Sequence, residues 1–238
     1  MRLEFFGTSH GLPEKNRFCS CTMLEAGGKK YIIDAGAPFT NFLIRNDIKP
    51  EEICAIFITH SHGDHMDGLP EFVDLASWYY HVETKIFLPN EQDIIALKAW
   101  NLAVNDKDTP RVDMLVYSDG TIYDDGVVKV TAFKTYHTKT SHGFIFEAEG
   151  KRVIFTGDLA GADLENPTIF DGLECDAVVC EDTHIEASMV ARLVTGRKVK
   201  RLILNHISPK KERDIRDVEI LAPDCNPIKA EDGMKIDI

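Results

Sequence analysis

No apolar run in this chain reaches the roughly eighteen residues that a membrane helix needs. The opening MRLEFFGTSHG has neither an apolar signal core nor a cleavage site. The expectation is therefore a cytoplasmic protein with no membrane partner. Paired CxxC spacing is also missing from the six cysteines, at 19, 21, 54, 175, 180 and 225. In a reducing compartment these read as free thiols, with Cys54 and Cys180, inside strand-like runs, expected in the core. Positive charge is scarce: 27 Lys and Arg stand against 39 Asp and Glu, a formal net charge of −12. Phosphate contacts need the opposite sign, so the balance points to a small-molecule substrate and away from nucleic acid. Low-complexity tracts and Pro/Gly-rich linkers are absent, so the 238 residues, 44% of them hydrophobic, are expected to form one domain over 1–238. A homodimer stays open.

What is present reads first as short strands. Leu3–Gly7, Cys21–Glu25 and Tyr31–Asp34 fit strands, with Gly27-Gly28 as a hairpin turn between the last two. Ala55–Thr59 is a short Ile-rich run that fits a buried strand. Val127–Thr135 alternates as a strand does, and His142–Ala148 with Arg152–Thr156 form a hairpin around Glu149-Gly150. Ala177–Cys180 and Arg201–Leu204 are further strands, and helices are expected at Thr40–Asn46, Leu69–Tyr80, Glu91–Val104 and Ile185–Val194. The order predicts two sheets packed together with helices outside. An internal echo accompanies it. Asp34 and His60 are 26 residues apart, as are Asp158 and His184, each pair flanking similar apolar runs. Either two alike strand–helix–strand units coincide in spacing, or a half-domain is duplicated with a site between the halves.

Thr59-His-Ser-His-Gly-Asp-His65 sets three imidazoles and a carboxylate directly after an apolar strand. Alternate residues on an extended strand end point the same way, so His60 and His62 reach one metal. Gly63 then lets the chain turn, and Asp64 and His65 face a second. His137, Asp158 and His206 each follow an apolar run, AFKTYH, VIFTGD and LILNH, and strand-end loops are where a rigid scaffold presents functional groups. A carboxylate can span two metals and an imidazole cannot, so Asp158 is the expected bridge. His60, His62 and His137 fall to one metal, and Asp64, His65 and His206 to the other. Nitrogen and oxygen donors suit Zn2+ first, with Mn2+ or Fe2+ as alternatives.

HxHxDH followed by a distant His, Asp and His resembles the metallo-β-lactamase superfamily, and the resemblance implies its α/β fold, an αββα four-layer sandwich. GTSHGLPEKNR, IKPEEICAIFITHSHGDHMDGLP, HTKTSHGF, FTGD and LNHISP are similar, in order, to the ribonuclease Z branch. AEDGMKIDI is similar to small phosphodiesterases of that branch. Ribonuclease Z carries a long tRNA-gripping arm between the third-His motif and the bridging Asp. Here His137 and Asp158 are 21 residues apart and a hairpin fills the gap, which ranks tRNA 3′ processing below a small substrate.

The expected chemistry follows from the metals. A metal-bound water has its pKa lowered towards ~7, and two metals suit cleavage of a small phosphodiester. Carbon esters, thioesters or lactams are the alternative substrates, and a non-catalytic binding module is the third reading. Asp64 takes a double role as ligand and catalytic carboxylate. His184 and Glu181 are candidates for protonating the leaving group, set against an orienting role for His184 and a solvated one for Glu181. Asp34 is expected to orient His60 or His65. Arg17, Lys210 and Lys211 are phosphate contacts or solvated cations. Cys19, Cys21 and His10 are core thiols and a neighbour, or an extra metal site. Trp78, Tyr79 and Tyr80 are expected to pack a helix rather than line a substrate wall.

Overall fold

The computed structural model describes residues 1–80, 82–105, 111–165, 174–211 and 215–238. Its first half runs β1 (Arg2–Gly7), β2 (Cys21–Ala26), β3 (Lys29–Ile33), α1 (Phe39–Arg45), β4 (Ile53–Phe57), α2 (Gly63–Met66), α3 (Leu69–Leu75), β5 (Lys85–Leu88), α4 (Glu91–Asn105) and β6 (Asp113–Val116). The second half runs β7 (Gly120–Asp124), β8 (Lys129–Lys134), β9 (His142–Ala148), β10 (Lys151–Phe155), α5 (Gly161–Glu165), β11 (Glu174–Cys175) and β12 (Ala177–Asp182). It ends with α6 (Ala187–Val194), β13 (Lys198–Val199), β14 (Leu202–Ile207), α7 (Ile215–Leu221), β15 (Ile228–Lys229) and β16 (Lys235–Asp237).

Two seven-stranded sheets result, ordered β16-β1-β2-β3-β4-β5-β6 and β7-β8-β9-β10-β12-β14-β15. Read in those directions the sheets match. In each, the first three junctions are antiparallel and the last three parallel. The central hairpins match too: Gly27 and Gly28 have φ 55° and 76°, Glu149 and Gly150 have 54° and 70°. Successive positive φ values give the turn whose twist suits flanking strands. The two turns also touch, with Gly27 N donating to Glu149 Oε1 at 2.8 Å.

Alternation along the strands sorts side chains into three apolar layers. Phe5, Tyr31, Phe57, Phe144, Phe155 and Val179 meet between the sheets. Ile32, Ile56 and Ile86 point outward from the first sheet onto Phe39, Phe72 and Leu97 of α1, α3 and α4. Ile154, Val178 and Leu202 point outward from the second sheet onto Val190, Leu193 and Val218 of α6 and α7. This is the αββα sandwich the resemblance implied. Central strands bury both faces, which is why YII and VIF read as unbroken apolar runs.

Several expectations are corrected. Cys180 is buried, but Cys54 is only half-buried near the start of β4. The helix expected over 69–80 is α-helical only to Leu75, and Ala76–Tyr80 follow as a π-turn. That turn leaves Trp78 and Tyr79 exposed instead of packed. The 26-residue echo mixes two levels. Ile33 pairs with Phe57 and Phe155 with Val179, the same 24-residue offset. Asp34 N donates to Phe57 O at 2.9 Å and Thr156 N to Val179 O at 3.0 Å. The structural equivalent of Asp34 is thus Thr156, and that of Thr59 is Glu181. Asp158 and His184 lie beyond those equivalent positions.

Candidate metal centre

Loops at the same end of both sheets converge. After β4 the chain bends at Thr59, and His62 (φ −68°, ψ 145°) caps the four-residue helix α2. His60 and His62 still meet on one side, with His60 Nε2 at 3.0 Å from His62 Nδ1. His137, from the loop after β8, brings Nε2 to 3.2 Å from the same Nδ1. Helix α2 then swings Asp64 and His65 away. Asp64 Oδ2 lies 3.2 Å from His65 Nε2 and 3.7 Å from Nε2 of His206, near the end of β14. This close passage depends on Gly36, where a Cβ would stand 2.3 Å from Asp64 O. Gly63 does not act through a special φ, because it is an ordinary helical residue.

Asp158 stands between the two groups. Its Oδ2 lies 3.6 Å from His60 Nε2, 3.6 Å from His137 Nε2 and 3.5 Å from His206 Nε2, while Oδ1 lies 3.5 Å from His65 Nε2. The turn that presents it needs φ 60° at Gly157, where a Cβ would meet His142 O at 2.8 Å. His206 itself holds φ 51°, a left-handed conformation that a non-glycine residue adopts at a cost.

The donor chemistry fits divalent cations. His60, His62, His137 and Asp158 form one group whose ligand atoms all lie within 4.8 Å of one another, and Asp64, His65 and His206 form another. His65 Nε2, His206 Nε2 and Asp158 Oδ1 are buried with no hydrogen-bond partner among the described residues. Buried polar atoms are seldom left that way, and here all three face one small space. Burial and the neighbouring imidazoles push the His60 pKa down to about 2, so the ring stays neutral with a lone pair available. Burial alone would raise Asp158 and lower His65. The charges of His206 and His65 instead hold Asp158 well below the usual carboxylate range, and Asp158 and Asp34 lift His65. Nitrogen lone pairs and two carboxylates make a zinc-type donor set.

Each loop is tied from behind. His65 Nδ1 donates to Asp34 Oδ2 at 2.8 Å, the orienting role expected of Asp34. Thr59 donates its N–H to Asp34 at 2.8 Å, and its Oγ1 lies 3.1 Å from His60 Nδ1. Such contacts fix the tautomer that leaves Nε2 for a metal. Ser20 Oγ lies 3.0 Å from His206 Nδ1. Ser61 donates to buried Asp93 at 2.8 Å, and Asn90 donates to both Ser61 and Asp93. Asp163 accepts from Tyr136 N, and Lys134 Nζ donates to three carbonyls of the loop that holds His137. None of Ser20, Thr59, Asp93 or Asp163 carries a sequence signal of this role, because each meets its partner only through the fold.

His184 also reaches the cluster. Its Nδ1 lies 3.5 Å from Asp158 Oδ2 and 3.3 Å from Glu181 Oε1, with 35% of its side chain exposed. The Glu181 hydrogen bond raises its pKa. Asp158, His184 and His206 form a third group with metal-ligand spacing. Glu181 is not solvated: it is buried and accepts from the backbone N–H groups of Leu159, Thr183 and His184 at 2.7–3.0 Å. Arg17 is turned inward, donating to Ile207 O and Thr8 O. Lys211 donates to Ile185 O at 2.7 Å, and Lys210 is exposed. Cys19 and Cys21 are buried free thiols, and no metal-ligand group among the described residues joins them to His10.

Comparison with known proteins agrees with this architecture. The metallo-beta-lactamase superfamily model matches residues 15–206. A Ribonuclease Z from Anoxybacillus flavithermus is 29% identical over 188 residues, 76% of this chain and 60% of that protein. The chain spans only 47–60% of the length of the first curated relatives it matches. Human tRNase Z, short form, superposes with a TM-score of 0.77 at 23% identity, covering 100% of this chain and 99% of that one. A diphosphatase from the PhnP family gives 0.70 at 19% identity, covering 100% and 97%. Among the described residues no helix is long and apolar enough to cross a membrane. With matched residues 15–206 running to the last cluster histidine, the chain belongs to the metallo-β-lactamase superfamily.

Proposed function

We propose that this superfamily hydrolase cleaves a small phosphodiester at a dinuclear centre. His60, His62, His137 and Asp158 would hold one cation, and Asp64, His65, His206 and Asp158 the other. The observation that carries the reading is the Asp158 carboxylate, which faces His60 and His137 of one group and His65 and His206 of the other. Bound divalent cations supply Lewis acidity to a phosphoryl oxygen and a nucleophile from water at neutral pH. Zn2+ is the first expectation from the donors.

The chain's own residues do the rest. Asp34, Thr59 and Ser20 keep imidazole lone pairs aimed inward. Glu181 accepts from His184 N and lies beside its Nδ1, holding the imidazole next to Asp158 as the leaving-group proton donor. Such a donor contributes about 10²–10⁴ in rate. Glu181 therefore positions the donor instead of supplying the proton. The β9–β10 hairpin fills the stretch between His137 and Asp158, and the net charge is −12, so a small ester is favoured over tRNA.

The test is hydrolysis by the metal-loaded protein of bis-p-nitrophenyl phosphate, p-nitrophenyl acetate, a lactam and a precursor tRNA. The diester should turn over fastest. Faster cleavage of the acetate or lactam transfers the reading to carbon esters, and efficient trimming of the tRNA 3′ trailer transfers it to RNA.

A further inference from the structure

The loop between β1 and β2 carries a histidine, His10, that none of the metal groups uses. Ser9 pairs in parallel with Ile207, the neighbour of His206. On the other side of His10, a Cβ built on Gly11 would stand 4.0 Å from Asp64 Oδ2. His10 is thus bracketed by residues that touch the strand end and the ligand of the Asp64–His65–His206 group. The His184 ring lies 4.4 Å from that of His137 and 5.8 Å from that of His206.

The ring is held from behind. His10 Nδ1 lies 3.2 Å from Glu14 Oε1, and that same oxygen accepts from Ser9 Oγ at 2.9 Å and Arg17 Nη1 at 3.3 Å. Arg17 in turn donates to Ile207 O at 2.9 Å. The carboxylate is therefore fixed to the strand end that bears His206, and the imidazole is fixed to the carboxylate. The side chain is 21% exposed, and no described residue partners Nε2. A ring anchored through one nitrogen, with the other left open, is arranged to meet something from outside.

We propose that His10, backed by Glu14, binds an anionic phosphoryl oxygen of the substrate on the Asp64–His206 side of the centre. This rests on the phosphodiesterase reading. Both ring nitrogens then donate, Nδ1 to Glu14 and Nε2 to the phosphoryl oxygen, as the doubly protonated ring does. In a chain of net charge −12, an N–H donor from His10 separates anionic esters from neutral ones. Hydrogen bonds to charged groups contribute about 1.5–3 kcal/mol, so losing this one should cost about tenfold or more.

The experiment uses metal-loaded wild type, His10→Ala, His10→Gln and Glu14→Gln, with metal content measured on every sample. In His10→Ala, kcat/KM for bis-p-nitrophenyl phosphate should fall about tenfold or more, and for neutral p-nitrophenyl acetate less than about twofold. Affinity for inorganic phosphate, measured by calorimetry, should fall in parallel. Glu14→Gln should lie between. Equal losses on both esters, loss of a metal, or unchanged phosphate affinity overturns the proposal. If wild type cleaves no phosphodiester, the functional reading fails separately and the phosphate titration alone decides. Absence of phosphate binding by wild type then counts against His10 as well.

Discussion

The two sheets share a strand order and a register, yet they equip the centre differently. At the equivalent positions after the central strands, the first half has Asp34 and Thr59, and the second has Thr156 and Glu181. Each half thus has one buried carboxylate tying its two loops together, placed on opposite members of the pair. Asp34 accepts from Thr59 N, and Glu181 accepts from Leu159 N. Each carboxylate also holds an imidazole, His65 in one half and His184 in the other. His65 is buried with its far nitrogen aimed into the cluster, whereas 35% of the His184 side chain is exposed. One scaffold geometry supports a candidate ligand on one side and a solvent-facing group on the other. The register, not the spacing of like residues, carries that correspondence.

Removing Asp158 should break the contrast most severely, since it is the strand-end carboxylate that faces both groups. Asp158→Ala is expected to lose one metal and bring hydrolysis to the detection limit, read by elemental analysis and by turnover of bis-p-nitrophenyl phosphate. Retained turnover would move the chemistry elsewhere. Next is the exposed imidazole. His184→Ala should keep both metals and slow an alkyl phosphodiester by about 10²–10⁴. A p-nitrophenyl diester should suffer far less, because its leaving group departs without a proton. Metal loss in that variant would make His184 a ligand, as its spacing with Asp158 and His206 also allows.

The buried support in the first half should matter less than either. Asp34→Asn keeps the size of the side chain but weakens its grip on His65, and metal affinity should drop about 10–100-fold. Competition with a chelator measures it. An unchanged affinity would mean that the two carboxylate–imidazole pairs are not counterparts.

The smallest effect belongs to the opposite end of the sandwich. There Asp125 accepts from Lys29 Nζ and Tyr31 OH of β3, both at 2.8 Å, and from Val127 and Val128 N–H, joining one sheet to the other. Burial would raise its pKa, but the Lys29 and backbone hydrogen bonds override it and hold the carboxyl below its ordinary 3.8. A depressed folded-state pKa stabilises above the unfolded value, and that stability is lost as pH falls through the folded one. Asp125→Asn should therefore cost about 1–3 kcal/mol at pH 7, read by urea unfolding. The gap to wild type should narrow below about pH 4, with metal content unchanged. A gap that stays constant into acid would remove the ionised latch.

Much of the site is legible in the sequence. The HxHxDH run and the apolar stretches preceding His137, Asp158 and His206 place all seven ligand candidates at strand ends, and those strands are found there. The short edge strands β6, β15 and β16 escaped because two to four residues carry too little periodicity to register. Trp78 and Tyr79 were misread because helical spacing does not say which face a neighbour covers. Arg17 resembled a phosphate contact, yet it spends its guanidinium on Thr8 and Ile207 backbone oxygens.

By itself, then, the sequence determined which side chains could bind metal and which runs had to be buried, since both follow from local chemistry and from a period of two along each strand. Only the tertiary structure decided how Asp158, the expected bridge, comes to face both groups while Asp34, the expected orienter, stands behind His65 and not His60. Asp34 and Asp158 are the same residue type after similar apolar runs. Asp34 sits one residue beyond its strand and Asp158 three, and that two-residue difference in height, past Gly157 at φ 60°, turns one towards Thr59 and His65 and the other into the centre. Distances across 25 to 190 residues of chain, such as Ser20 to His206 or Arg17 to Ile207, are set by how the two sheets pack, and no local pattern records them.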